Sequence, residues 1–389
     1  MKNRNIIIAG GDGFCGWPLA LRLSKKNYNV IIIDNFKRRK IDKELKTNSI
    51  TPIKSLKKRI FYWEKISGKK IRFYKLDVSK DIETLKKIIK RYSPKAIYMF
   101  AEYKSAPYSM LSLKHSNLNF SNNLISNNNL LSLIKDFSPK THYIHLGTMG
   151  VYGYDLSKKK IPEGYFKAIL INKENQKQQM EILHPANPGS IYHLTKSQDE
   201  LIFQFYQKTY GLKITDLHQG IVWGCNTYET NLHPYLINRF DYDHIYGTFL
   251  NRMISQLVIK HPFTLHGKGK QKRAFININD AVKSYELVLN QNSFKKVNIF
   301  NEVGQIMTLT EIISFLNNIR ENKVNNIKNP RIENEENYLE VSNKKLINKG
   351  LKITKVTRKN ILELISIAEK YKKNINYKKI LTNHSWKAK

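Results

Sequence analysis

Cysteine is almost absent: Cys15 and Cys225 are the only two in 389 residues. Two thiols cannot build a disulfide framework, so a reducing compartment is expected, with a single Cys15–Cys225 bridge as the alternative. Long apolar runs are also missing. None approaches the roughly 18 residues that mark a membrane span. The first run, Ile6-Ile7-Ile8, is far shorter than a secretory h-region of about 7–15 residues, so no signal or transit peptide is expected. Acidic residues are scarce, 31 against 67 Lys and Arg, for a net charge of +36. One reading is nucleic-acid binding. The other is a lysine-, asparagine- and isoleucine-rich composition imposed by A+T-rich coding. The lysines favour the second: they are spread along the chain (Lys57-Lys58, Lys158-Lys159-Lys160, Lys378-Lys379) with no nucleic-acid module beside them. Such a surface still attracts anionic substrates. At 41% hydrophobic and 25% charged, the chain is globular rather than disordered.

β-rich runs alternate with amphipathic ones over the first 150 residues. Asn5–Ala9, Asn29–Asp34, Ile71–Val78, Ala96–Ala101 and His142–Thr148 read as strands, and Trp17–Lys26, Ile82–Tyr92 and Asn117–Phe137 as helices. This alternation predicts an α/β fold with a Rossmann-like, doubly wound parallel sheet. Phe36–Gly68 is a longer connection with helices near Ile41–Lys46 and Leu56–Ser67, and Ser157–Pro188 reads as a polar surface excursion. Ser190–Tyr210 reads as a helix and Lys213–Gln219 as a strand. Beyond Gly220 the pattern is irregular, with segments Thr230–Asp243, Asn298–Glu302 and Asn329–Val341. The expected division is a dinucleotide-binding domain over 1–220, with excursions at 36–70 and 157–188. A smaller nucleotide-sugar lobe, interleaved with the first, covers 221–389.

Ile6-Ile7-Ile8-Ala9 runs into Gly10-Gly11-Asp12-Gly13-Phe14-Cys15-Gly16. Gly11, Gly13 and Gly16 fit G-x-G-x-x-G, and Gly10, Gly13 and Gly16 fit the wider G-x-x-G-x-x-G. A strand that turns sharply into a helix can present the helix's first N–H groups to a pyrophosphate, provided side chains do not block the approach. Asp34 ends the second strand eighteen residues after Gly16. A carboxylate there accepts hydrogen bonds from ribose hydroxyls and repels a 2′-phosphate, which points to NAD. Arg38 and Arg39 leave NADP as the alternative, since either could neutralise that phosphate. Asp77-Val78 is a second contact or an ordinary strand terminus.

Tyr192 and Lys196 stand at i and i+4, on one helix face. A phenol titrates near pH ~10. A neighbouring ammonium favours the phenolate, so Tyr192 is a candidate base for a hydroxyl proton. Thr148 could hydrogen-bond the same hydroxyl or simply cap a turn. His193 points about 100° away around the helix, as a second acid–base group or as a surface or dimer-face histidine.

Together these features resemble the extended short-chain dehydrogenase/reductase superfamily of nucleotide-sugar epimerases and dehydratases. Several segments narrow the resemblance to the UDP-sulfoquinovose synthase family: Gly10–Trp17, Leu23–Tyr28, Asp34-Asn35, Ser105–Met110, Leu146–Gly150, Tyr192–Leu194, Asp241–Asp243, Asn329–Arg331 and Ser385–Lys387. The resemblance spans nearly the whole chain.

That resemblance implies a reaction. With bound NAD, C4 of UDP-glucose is oxidised, water leaves from C5–C6, sulfite adds to C6 of the 4-keto-glucose-5-ene, and C4 is reduced again. Many 4,6-dehydratases place Asp-Glu after the threonine; Met149-Gly150 cannot transfer protons, so His193 or a cofactor-side group is expected to do so, and Gly150 leaves volume near C6. The implied cofactor-side residues are Gly10, Gly13, Phe14, Cys15, Gly16, Asp34, Asn35, Arg38, Asp77, Val78, Asn122, Lys196, Gln219 and Val222. The implied catalytic residues are Thr148, Tyr192, His193 and Lys196. The implied substrate-side residues are Lys104, Thr148, Tyr192, Gln219, Thr248, Asn251, Arg252, Gln271, Arg273 and Arg331. Lys104 stands where the family usually has Arg, keeping the charge but losing the bidentate fork. No metal site is expected. The expected partners are UDP-glucose, sulfite, a second copy paired through Asn117–Phe137 and Ser190–Tyr210, and a sulfite-delivering protein. The setting is bacterial or archaeal cytoplasm, or a plastid stroma for a plastid-made chain. The rival readings are a UDP-glucose 4-epimerase or 4,6-dehydratase, and a basic, non-catalytic nucleic-acid-binding relative.

Overall fold

Five apolar runs in the first 150 residues become strands of one sheet. The computed structural model describes residues 3–153, 160–329 and 336–381. Its strands are β1 (Asn5–Ala9), β2 (Asn29–Ile33), β3 (Arg72–Tyr74), β4 (Ala96–Met99), β5 (His142–Leu146), β6 (Tyr165–Ile171), β7 (Lys177–Leu183), β8 (Lys213–Gln219), β9 (Ile221–Trp223), β10 (Phe263–His266), β11 (Lys272–Asn277), β12 (Asn298–Glu302), β13 (Gln305–Thr308) and β14 (Val324–Ile327). The helices are α1 (Gly16–Lys25), α2 (Lys37–Glu44), α3 (Leu56–Ser67), α4 (Ile82–Tyr92), α5 (Ala106–Ser109), α6 (Leu113–Phe137), α7 (Ile191–Tyr210), α8 (Phe249–Val258), α9 (Ile278–Val288), α10 (Leu309–Asn317), α11 (Lys344–Asn348) and α12 (Arg358–Lys370).

The main sheet has seven strands in the order β12-β8-β5-β4-β1-β2-β3, and every pairing in it is parallel. Chain order reverses between β1 and β4, which opens a crevice at the carboxyl ends of these strands. Strand alternation builds both covering layers. Ile6, Ile8, Val30 and Ile32 pack with Trp17 of α1, Trp63 of α3 and Tyr285 of α9. Ile7, Ala9, Ile31 and Ile33 point the other way, onto Leu85 and Ile89 of α4, Leu130 and Ile134 of α6 and Phe203 of α7. Each fully buried isoleucine contributes about 1.5–3 kcal/mol. A separate core joins Trp223 and Phe240 to α8, α10 and α12.

Most sequence-predicted elements appear within a few residues of their expected limits, with four differences. Asn298–Glu302 is not an irregular part of the second lobe; it pairs with β8 as the edge strand of the main sheet. β3 stops at Tyr74, because beyond it the chain turns: the Asp77 carboxylate accepts from the Ser79 N–H and hydroxyl. The helix expected at Ile41–Lys46 starts at Lys37, just after Phe36 donates its N–H to Asp34 Oδ1. Within Ser157–Pro188, β6 and β7 form an antiparallel hairpin. Its second strand is largely polar and exposed, so burial left no mark on the sequence. Cys15 and Cys225 are both free and buried. Among the described residues no helix is long and apolar enough to cross a membrane.

Candidate active site

The glycine loop lies between β1 and α1, and its glycines have different jobs. Gly10 has φ +86°, and a Cβ there would strike the Phe100 carbonyl. A Cβ on Gly11 would overlap the Ile32 side chain, and one on Gly16 the Gly10 carbonyl. These three are required by the turn itself. Gly13 differs: the nearest atom to its Cβ would be Gly10 O at 3.1 Å, with nothing else within 4 Å. The space beside Gly13 belongs to a cleft of about 410 Å³, a size usual for ligand sites.

Asp34 stands at the end of β2 on the cleft wall. Its Oδ2 accepts the Asp12 N–H at 2.9 Å and its Oδ1 the Phe36 N–H at 2.7 Å. Burial, helped by the nearby Asp12 charge, raises its carboxyl to about 6. The two arginines that left NADP open already have partners. Arg39 forks onto the Asp12 carboxylate at 2.5 and 2.9 Å and also reaches Lys54 O. Arg38 pairs with Asp42 and Asp241 and lies over the Tyr246 ring at 3.7 Å. Arg59, fully buried above Trp17, adds a second guanidinium to Asp12 at 3.1 Å. Burial lowers Arg59 to about 9, with Asp12 opposing that shift. The 36–70 excursion thus braces the glycine loop, a task that sequence spacing did not reveal.

The other end of the cleft holds the Tyr/Lys pair. Ser190 caps α7 by accepting the His193 N–H at 3.2 Å, which starts the helix at Ile191, one residue before Tyr192. Tyr192, His193, Lys196, Thr148, Met149 and Gly150 all line the cleft. Thr148 Oγ1 accepts the Gly150 N–H at 3.1 Å, which leaves its own O–H to donate. His193 is buried against Gly150, and a Cβ on Gly150 would overlap the His193 ring. The ring therefore fills the volume that a side chain at 150 would take. Its centroid lies 5.2 Å from that of Tyr192.

Behind Lys196 is an ionic cluster that sequence reading missed. Lys196 Nζ lies 2.9 Å from His145 Nε2, donates to Leu146 O at 2.8 Å, and pairs with the Glu102 carboxylate. Glu102 Oε1 is 3.2 Å from His145 Nε2. His145 Nδ1 faces Asp216 Oδ1 at 2.7 Å, and Asp216 Oδ2 faces His218 Nε2 at 3.1 Å. Asn127 donates to both Glu102 and Asp199 at 2.7 Å. Burial lowers Lys196 to about 8 against the pull of Asp199 and Asp216. Burial also opposes charge on His145, but Asp216 and Asp199 carry it above its usual value. These groups come from the loop after β4, from β5, α6, α7 and β8; only the period-two positions of His145, Asp216 and His218 on strands could have flagged them.

The second lobe supplies the remaining wall. Thr248, Arg252 and Arg273 line the cleft, as do Lys104, Gln219, Val222, Asn122, Asn35, Asp77, Val78, Phe14 and Cys15. Gln219 Nε2 donates to Glu302 Oε2 at 2.6 Å and to the Tyr285 hydroxyl, which turns its oxygen elsewhere. Asn251 and Gln271 are not on this wall. The Asn251 amide instead braces Gly224, accepting its N–H at 3.3 Å and donating to its carbonyl at 3.1 Å. Gln271 is buried just before β11, with no hydrogen-bond partner for its amide among the described residues. Arg331 and the Ser385–Lys387 segment lie outside the described residues.

The NAD dependent epimerase/dehydratase family matches residues 6–301. The chain is 36% identical to the chloroplastic UDP-sulfoquinovose synthase of Spinacia oleracea, over 99% of this chain and 79% of the relative. It is 34% identical to the UDP-sulfoquinovose synthase of Sulfolobus acidocaldarius, over 89% and 87%. This chain belongs to the UDP-sulfoquinovose synthase family. In fold it is similar to the UDP-glucose 4-epimerase of Thermotoga maritima, solved with UDP-glucose: TM-score 0.69, 18% identity, 94% of this chain and 99% of that one covered.

The family matched over residues 6–301 is NAD dependent, and the residues here suit that cofactor. Open space beside Gly13 admits a pyrophosphate to the start of α1. Asp34 keeps lone pairs for ribose hydroxyls, and both arginines near it, Arg38 and Arg39, are paired with acids.

Proposed function

We propose that this chain makes UDP-sulfoquinovose from UDP-glucose and sulfite, as the head-group donor for sulfolipid. The observation that carries this reading beyond the superfamily is Gly150 beneath the His193 ring, in the place where 4,6-dehydratases carry an acid. The glycine loop and Asp34 would hold NAD, which would supply a reversible hydride acceptor for C4. Tyr192, one helical turn from Lys196 on the cleft wall, accepts the C4 hydroxyl proton, while the Thr148 O–H steadies the same oxygen. The C4 ketone acidifies the C5 proton. His193 takes that proton and passes it to the departing C6 hydroxyl, which leaves as water. The sulfur lone pair of bisulfite forms the C6–S bond, and the bisulfite proton ends on C5. Tyr192 then returns its proton to the C4 oxygen, so UDP-glucose and bisulfite give UDP-sulfoquinovose and water. Arg252 and Arg273 take the pyrophosphate, since a guanidinium pairs two oxygens at once. Lys104 supplies a further cation at the cleft.

The same reading includes a homodimer through α6 and α7, which expose Ile125, Leu201 and Phe205. It includes a plastid, bacterial or archaeal setting, with sulfite supplied by a partner protein. Mass spectrometry of products from UDP-glucose with and without sulfite tests the reaction. A sulfonated sugar nucleotide is expected only with sulfite; an epimerised or 6-deoxy-4-keto product in both would favour the epimerase or dehydratase. Tyr192→Phe is expected to lose about 10²–10⁴-fold in turnover, and unchanged turnover would remove Tyr192 from this role.

A further inference from the structure

Lys196 and His145 are bonded to each other, and Glu102 touches both. Nζ and Nε2 are 2.9 Å apart, so a single proton lies between two nitrogens. One Glu102 oxygen meets the lysine and the other the imidazole. Glu102 is also the one member of this cluster that the glycine loop's neighbouring strand delivers to the cleft wall. It follows β4 directly and is held by Asn127 of α6. We propose that Glu102 is a positioning residue for Lys196: its carboxylate keeps the positive charge shared by Lys196 and His145 at the floor of the cleft, where Tyr192 and the cofactor need it. This rests on the role given to Lys196 above.

The charged groups that face Lys196 are few and come from every element packed on it. Glu102 approaches from the loop after β4, His145 from β5, Asp199 from α7 and Asp216 from β8, while α6 contributes the neutral Asn127. Asp199 and Asp216 reach Lys196 through His145, Asp216 being bound to His145 Nδ1 and to His218. Asp199 is shared with Asn127. Glu102 is therefore the carboxylate in direct contact with the ammonium. An opposite charge that close holds a lysine proton by roughly 1–3 pH units. Burial already weakens the Lys196 proton, so removing the carboxylate in contact with it should make that proton easier to lose.

The test is NADH binding by fluorescence titration from pH 6 to pH 10, roughly the span between histidine and lysine titration. The wild type is compared with Glu102→Gln, Glu102→Asp and His145→Gln, with folding checked by circular dichroism. The alkaline midpoint, where affinity falls as Lys196 loses its proton, is expected about one to three pH units lower in Glu102→Gln. Glu102→Asp keeps the charge and should restore the midpoint to within about half a unit. His145→Gln removes the competing imidazole, so its midpoint should stay or rise. General damage to the core would move both Gln variants the same way. A Glu102→Gln midpoint equal to that of wild type, or equal falls in both Gln variants, would overturn the proposal. Wild-type protein that bound no NADH at all would instead refute the cofactor reading on which it rests.

Discussion

The two walls of the cleft are built on opposite plans. The wall around the glycine loop is contiguous in sequence and closed upon itself: Gly10, Gly11 and Gly16 are held by backbone contact, and Asp12 and Asp34 are tied to each other and to Arg39 and Arg59. The second-lobe wall collects Thr248, Arg252 and Arg273 from α8 and β11, which share the separate core of that lobe. One wall is a rigid socket in which small changes are felt as steric overlap. The other carries the cations Arg252 and Arg273 on the cleft wall, where a change is felt as lost charge.

The largest expected effect comes from breaking the rigid wall. In Gly16→Ala the new Cβ would overlap the Gly10 carbonyl, and a clash with backbone costs about 1–3 kcal/mol or more. NADH affinity by fluorescence titration should fall by roughly 100-fold, together with thermal stability. Gly13→Ala sharpens the contrast. Its Cβ would meet only one atom, at 3.1 Å, so stability should barely change while NADH affinity falls by roughly 10-fold. Equal losses of stability in the two variants would show that Gly13 is as structural as Gly16.

On the charged wall, Arg273→Ala should raise KM for UDP-glucose by about 10-fold with little change in NADH binding. A charge-assisted hydrogen bond is worth about 1.5–3 kcal/mol. A matching loss of NADH affinity would mean that the two walls do not serve separate ligands.

The smallest effect is a pH dependence at Asp34. Its carboxyl titrates at about 6 in the folded protein because it is buried beside Asp12. An acid whose folded pKa is raised favours the protonated fold, so in the empty protein its contribution to stability falls as pH rises from about 4 to about 6. NADH needs the carboxylate as an acceptor, so affinity should be full above about 6 and decline below it. Asp34→Asn should flatten that acid limb. An acid limb that survives in Asp34→Asn would assign it to another group.

The glycine loop, Asp34, Tyr192, Lys196 and Thr148 were legible because each motif is local: a strand-to-helix turn or one helical turn fixes the relative placement of its residues. The Glu102–His145–Asp216 cluster was not legible. Its members are separated by 43 and 71 positions, and an isolated buried acid or histidine on a strand reads like any other polar residue. Asn298–Glu302 was misplaced for a related reason. A five-residue segment with only Ile299 and Phe300 apolar is equally at home at the edge of a main sheet or in a small lobe, and only its pairing with β8 decides.

By itself the sequence determined a parallel α/β sheet, a phosphate-binding turn and a tyrosine–lysine pair, because side-chain periodicity and glycine spacing act over a few residues. Tertiary structure alone decided that His193 presses on Gly150, that Arg38 and Arg39 are already neutralised, and that Lys196 sits on a buried carboxylate. Charge in a protein interior is set by whichever groups packing brings within a few ångströms, and chain distance says nothing about that.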